Sequence, residues 1–376
     1  MRRSHLLLDK LCVFVVLACS LGLLAPGCRL IDEDRSDCPE DLTIIYTLKL
    51  ITNLETECDD KLGSVKDRPL REALEDYLKD IFVDLAHDVD LSFYDIEEPG
   101  VRAVHRAEIM DAGQATYEIT LPARDYMHLG IANMAGERSV SLTGDVYSGT
   151  STLLQNIANH VPSHNTGLFT AREAMKVLQG VDQTFEVNLY MANDAGALIV
   201  HRDSCKVQKM WMEVEGLGDR FLVRDSVYKY SHAVIDADYI DAQPWVDKYK
   251  ESAKPATKAG QFASDYDTWT VTPGILCGVG FSSRDAGKAT MRTSSGDEVL
   301  WVVHLYVTLE NGSTTRSTIY VGEPLPAGHL KIIRGWLKGD GSFVPGPPVP
   351  GGGDDMVVGV SVTLDWQEGP TFEPVL

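Results

Sequence analysis

Residues Val299–Val321 read VLWVVHLYVTLENGSTTRSTIYV. Both faces of an extended chain over Trp301–Val307 are largely apolar, the pattern of a strand lying centrally in a sandwich. The run Val299–Leu309 then enters Glu310-Asn311-Gly312-Ser313, where Asn-Gly predicts a type I′ hairpin turn, and continues into a second strand at Ser317–Val321. Outward from this hairpin the same period-two alternation recurs in Leu42–Ile51, Val89–Tyr94, Ala115–Leu121, Met127–Met134, Phe185–Met191, Lys206–Val214, Phe221–Tyr230 and Val357–Trp366. Many strands with few helices predict an all-β class with decorations.

One segment carries a helical period. Leu70, Leu74, Tyr77, Leu78, Ile81 and Leu85 recur at three- and four-residue spacing behind Pro69, a residue suited to a first helical turn. A weaker second helix is expected over Thr150–Ala158. Both would cap the ends of a sheet.

The length exceeds one ordinary core, so two domains are expected, with a boundary near Ala192–Gly196. They would occupy 42–193 and 194–340, with 356–376 returning to the second across a Pro/Gly-rich linker at 341–355. Beyond that linker Val358, Val360, Val362, Leu364 and Trp366 alternate with Gly359, Ser361, Thr363 and Asp365, giving one apolar face. Such a strand must complete a sheet, in its own domain or in a neighbour's by strand addition.

The first residues have the layout of an export signal: basic Arg2 and Arg3, an apolar run Leu11–Leu24, and small residues before a cysteine. Leu24-Ala25-Pro26-Gly27-Cys28 resembles the bacterial lipobox, which implies removal of 1–27 and lipid on Cys28, with 28–41 as a tether. Acyl chains contribute roughly 0.8 kcal/mol per buried methylene, enough to hold an exported domain at a membrane without a spanning helix. The acidic run Asp32-Glu33-Asp34 resembles tracts that direct Bacteroides-type lipoproteins to the cell surface.

Residues 1–27 hold three basic residues and one acidic, so the remainder carries 31 Lys+Arg against 54 Asp+Glu, a net of −23. That balance opposes nucleic-acid binding, which needs a basic surface to release counterions. Cys38, Cys58, Cys205 and Cys277 are an even set in an oxidising compartment and allow three pairings. Cys38–Cys58 is the nearest pair in sequence.

No catalytic motif stands out: HExxH, GxSxG and GxxxxGK[ST] are absent, and Gly278-Val279-Gly280 sits in a strand-like stretch without βαβ context. Asp236, Asp238 and Asp241 offer carboxylates for calcium but lack an EF-hand's glycine and terminal glutamate, and read as a solvated loop. His160 and His164 have a spacing seen in zinc sites, yet no cysteine or third histidine lies near in sequence, so they read as loop residues. Trp245 and Tyr249 are candidates for stacking on sugar. No metal, cofactor or enzymatic activity is expected.

The order Cys28, Ser36-Asp37-Cys38-Pro39, a strand at Leu42–Leu50, Cys58, a helix leading into Val89-Asp90-Leu91-Ser92-Phe93-Tyr94-Asp95, and a Val-rich terminal strand ending Asp365-Trp366 resembles the FimB-type fimbrial anchor subunits of Bacteroides-type bacteria. The resemblance implies two tandem transthyretin-like β-sandwich domains, a lipid anchor on the outer membrane, and subunits joined by exchanged β-strands, with Val357–Trp366 the natural candidate. It implies a non-enzymatic anchor or accessory subunit at a surface-exposed fimbrium base, partnered by other fimbrial subunits and contributing to adhesion. The alternative is a surface glycan-binding lipoprotein of a nutrient-uptake system.

Overall fold

A computed structural model describes residues 41–51, 62, 67–79, 81, 88–97, 102–109, 116–133, 140–142, 150–152, 159–179, 181, 183–202, 205–252, 271–292 and 296–346. The first half contains β1 (Asp41–Ile51), α1 (Arg68–Leu78), β2 (Asp88–Asp95), β3 (Arg102–Ile109), β4 (Thr116–Pro122), β5 (Asp125–Ala132), β6 (Val140–Leu142), β7 (Thr150–Thr152), β8 (His160–Pro162), β9 (Phe169–Lys176) and β10 (Thr184–Met191). The second contains β11 (Asn193–His201), β12 (Val207–Glu215), β13 (Leu217–Gly218), β14 (Arg220–Leu222), β15 (Val227–Lys229), β16 (Val234–Asp236), β17 (Asp238–Ile240), α2 (Gln243–Ser252), β18 (Gly274–Ser283), β19 (Met291–Arg292), β20 (Glu298–Val299), β21 (Trp301–Leu309), β22 (Thr314–Val321), β23 (Leu330–Leu337) and β24 (Phe343–Pro345). The all-β expectation holds, with two short α-helices among the described residues.

Three large sheets carry the fold. The first has the order β3-β2-β5-β9-β10-β1-β4, the central one β13-β18-β11-β23-β24 with β17 also on β18, and the outer one β22-β21-β12-β16-β8. Two parallel pairings thread the first two sheets: β1 beside β10, and β11 beside β23. A single residue, Ala192, separates β10 of the first sheet from β11 of the central one. Two short strands from the first half pair with strands of the second, β7 with β14 and β8 with β16.

The central sheet is apolar on both faces, and alternation along its strands decides which residue serves which core. Leu198, Val200, Leu276 and Ile333 face the outer sheet, packing with Met212, Val214, Trp301, Val303 and Leu305. Ala195, Ala197, Ile199, Ile275, Cys277, Val279, Leu330 and Ile332 join Leu70 and Leu74 of α1 and Val187 and Leu189 of β10 in a second core. That second core spans both halves of the chain.

Glycines set the sandwich spacing. A Cβ on Gly278 would lie 3.2 Å from Val214, and one on Gly280 only 2.3 Å from Ile235, so β18 needs bare backbone where the outer sheet presses on it. The stretch Gly278-Val279-Gly280 is strand, as its sequence suggested.

Helix α1 begins at Arg68 with Pro69 in its first turn, as expected, and buries Leu70, Ala73, Leu74 and Leu78. It ends at Leu78, so Ile81 is buried just beyond it, and Leu85 lies outside the described residues.

Three local expectations are corrected. Thr150–Thr152 is strand β7, not helix, because its backbone pairs with β6 and β14; 153–158 lie outside the described residues. Phe221–Tyr230 is not one strand: a 3-10 turn at Val223–Asp225 and left-handed Ser226 (φ 49°) fold it into a hairpin that sets the Phe221 and Tyr228 rings together, tilted by 39° with centroids 4.7 Å apart. The turn between β21 and β22 is not type I′, since only Gly312 takes a positive φ (83°). Asn311 instead accepts the Ser313 N–H at 2.9 Å through its side chain, and the left-handed glycine closes a three-residue loop.

Candidate functional site

Strand β23 is the edge of interest. Its inner side pairs with β11 over Leu330–Trp336, while its outer side meets β24 only at Gly335–Leu337. The Gly346 N–H reaches back to the Arg334 carbonyl at 2.9 Å. Over Lys331–Ile333, no strand among the described residues takes the outer backbone groups.

That open edge lies on an apolar frame. Leu330 and Ile332 belong to the core shared by both halves, and Ile333 to the sandwich core. Its charged residues are engaged: Lys331 pairs with Glu323, and Arg334 donates to Asp67 at 3.1 Å. Gly341, expected at the head of a linker, lies in the turn that lets β24 double back. Beyond Gly346 the chain runs through Pro347, Pro348 and Pro350 towards the alternating segment Val357–Trp366. Val358, Val360, Val362, Leu364 and Trp366, like Cys28, Cys38 and Cys58, lie outside the described residues.

The two histidines flanking Val161-Pro162-Ser163 part company. His160 lies on the outer sheet and donates to Asp236 at 2.7 Å, which raises its pKa through that bond. His164 is wholly buried, held to the Asn193 side-chain nitrogen at 2.8 Å and set edge-on to Phe281 at 4.9 Å. Burial drives its pKa down to about 3, so it stays neutral.

The three aspartates also separate. Asp236 joins His160; Asp238 accepts the Tyr77 hydroxyl at 2.7 Å; Asp241 accepts the Gln243 N–H at 3.0 Å at the start of α2. Glu213 of β12, which sequence reasoning passed over, lies directly across from Asp236. The signal available was its alternation with Trp211 and Glu215 on the outward face of β12.

A second polar group that the sequence hid sits where β10 gives way to β11. Asn193 accepts the Leu168 N–H through Oδ1 at 2.6 Å, and its carbonyl accepts the Gly328 N–H at 2.6 Å. Next to it Asp194 is fully buried with neither carboxylate oxygen hydrogen-bonded, and burial raises its pKa well above normal. The hydroxyl of Ser282 is likewise buried, next to the Tyr228 hydroxyl, which donates to the Ala192 carbonyl at 3.0 Å.

The aromatic candidates are committed to structure. Trp245 packs on the shared core from α2, and Tyr249 donates to Glu72 of α1 with Arg68 over its ring at 5.3 Å. On the outer sheet Trp211 and Tyr306 stack at 4.8 Å, with Lys209 over the first ring and Arg316 over the second. Each ring is thus flanked by the other and by a cation. Cys205 and Cys277 are buried in different cores and are not joined to each other.

No protein-family model and no curated protein matches the chain. Among solved structures it is similar to a candidate adhesin from Bacteroides ovatus, with TM-score 0.46 and 13% identity, covering 86% of this chain and 99% of that one. A candidate polysaccharide-binding protein from Bacteroides thetaiotaomicron gives TM-score 0.46 at 10% identity, over 81% of this chain and 93% of that one. The tip fimbrial protein Mfa3 from Porphyromonas gingivalis gives 0.40 at 10%, over 80% and 96%. At these scores, function rests on the chain's own residues.

Proposed function

We infer that this chain is a non-enzymatic fimbrial anchor or accessory subunit, tethered by lipid on Cys28 to the outer membrane and joined to other fimbrial subunits by β-strand addition. Its two halves, 42–193 and 194–340 with 356–376, act as tandem transthyretin-like sandwiches, Cys38 pairs with Cys58, and no cofactor takes part. The observation that carries this reading is the edge of β23, open over Lys331–Ile333 among the described residues. A strand there gains main-chain hydrogen bonds for affinity and apolar pockets for specificity. The alternating residues Val358, Val360, Val362, Leu364 and Trp366 are its natural occupant, in this chain or across to a neighbour.

Two changes in cells test the reading. Deleting 356–376 should abolish subunit joining and alter fimbrial length, and Cys28→Ala should release the chain from the outer membrane. Unchanged fimbrial length and unchanged attachment to cells in both variants would overturn it.

A further inference from the structure

His160, Glu213 and Asp236 come from three neighbouring strands of the outer sheet: β8, β12 and β16. Each presents one donor atom, and the three atoms lie within 4.8 Å of one another. Asp236 is exposed and the other two are half-buried, so the group opens to solvent. In sequence they are far apart, which is why neither His160 nor Asp236 announced a partner of the other kind.

We propose that these three side chains bind a divalent transition-metal ion, zinc above all. One imidazole with two carboxylates is a donor set for borderline ions, whereas calcium asks for six or more oxygens. Donors on one zinc sit about 3.4 Å apart in a tetrahedral set, and rotation of the two carboxylates closes the remaining distance, leaving a fourth position to water. A second observation points the same way: the Tyr306 hydroxyl donates to Glu213 Oε2 at 2.9 Å. A ligating carboxylate needs such a partner to fix its orientation, with the other oxygen turned towards the ion. Glu213 is therefore already held by a residue of the neighbouring strand β21.

The ion would fasten β8, the edge strand of the outer sheet, to β16 and β12. Because β8 belongs to the first half of the chain, the site ties the halves together at the surface. It is independent of the open edge of β23 and of any fimbrial role.

The test is calorimetric titration of the purified, chelator-treated chain with Zn²⁺, with Ca²⁺ as a second arm. Zn²⁺ should bind at one equivalent and raise Tm. His160→Ala should abolish saturable binding. Tyr306→Phe, which keeps all three ligands, should weaken it about 10-fold or more with an unchanged circular dichroism spectrum. The proposal is overturned if Zn²⁺ shows no saturable one-equivalent binding, if His160→Ala leaves it unchanged, or if Ca²⁺ binds more tightly than Zn²⁺.

Discussion

The two ends of β11 differ sharply although only Ala195-Gly196-Ala197 separate them. At one end Leu198, Ile199 and Val200 alternate between two apolar cores, so each side chain has a dry layer to enter. At the other Asn193 and Asp194 are just as buried but polar, with His164 bonded to Asn193. The apolar end glues three layers together. The polar end is where the chain crosses from the first sheet to the central one and backbone groups lose their ladder partners, so side chains supply them.

The apolar end should be the costlier to disturb. Ile199→Ala should destabilise the protein by about 2–5 kcal/mol in chemical unfolding, since it removes buried methylenes and leaves a cavity. A loss under about 1 kcal/mol would mean that the halves do not depend on their shared core.

At the polar end Asn193→Ala should cost about 1–3 kcal/mol, because it strands the Leu168 N–H and the His164 ring nitrogen in a buried site. Hydrogen exchange at Leu168 should rise with it. Protection unchanged at that amide would show that Asn193 is a filler and not a hub.

The smallest effect has the opposite sign. Asp194→Asn should stabilise the protein by ~1 kcal/mol at pH 7, the new amide remaining buried without partners. Folded Asp194 keeps its proton above the ordinary value of 3.8, while the unfolded chain releases it there. The wild-type contribution is therefore complete below pH 3.8 and is lost as pH rises, so the variant's advantage should vanish near pH 3.8 and widen above it. His164 works in the other direction: folded at about 3 and ordinarily 6.5, it contributes above pH 6.5 and loses that contribution as pH falls. An Asp194→Asn advantage that does not vary with pH would remove the buried carboxylate from this account.

Strands that carry their own apolar alternation or apolar run were legible in the sequence, among them β1, β2, β10, β12 and β21. Helix α1 was legible too, from its period and Pro69. What escaped were segments whose pattern is set by a neighbour. β18 reads as a glycine-rich run because its glycines fit the outer sheet, and α2 was passed over because Trp245 packs inward while Tyr249 answers Glu72 from another helix. The site residues fared likewise. Asp236 and His160 were visible singly, but their meeting depends on β8 lying parallel to β16, and no local pattern encodes that pairing.

The parallel pairings bear on how the molecule transmits tension. In β1 with β10 the registers run Ile45–Ile51 against Thr184–Tyr190, and in β11 with β23 they run Ala195–His201 against Leu330–Trp336. A pull on the chain from both ends draws β1 backward and β10 forward, then β11 backward and β23 forward. Each pair is loaded in shear, so its hydrogen bonds resist together rather than unzip one at a time, and the single residue Ala192 passes the force from one clamp to the next.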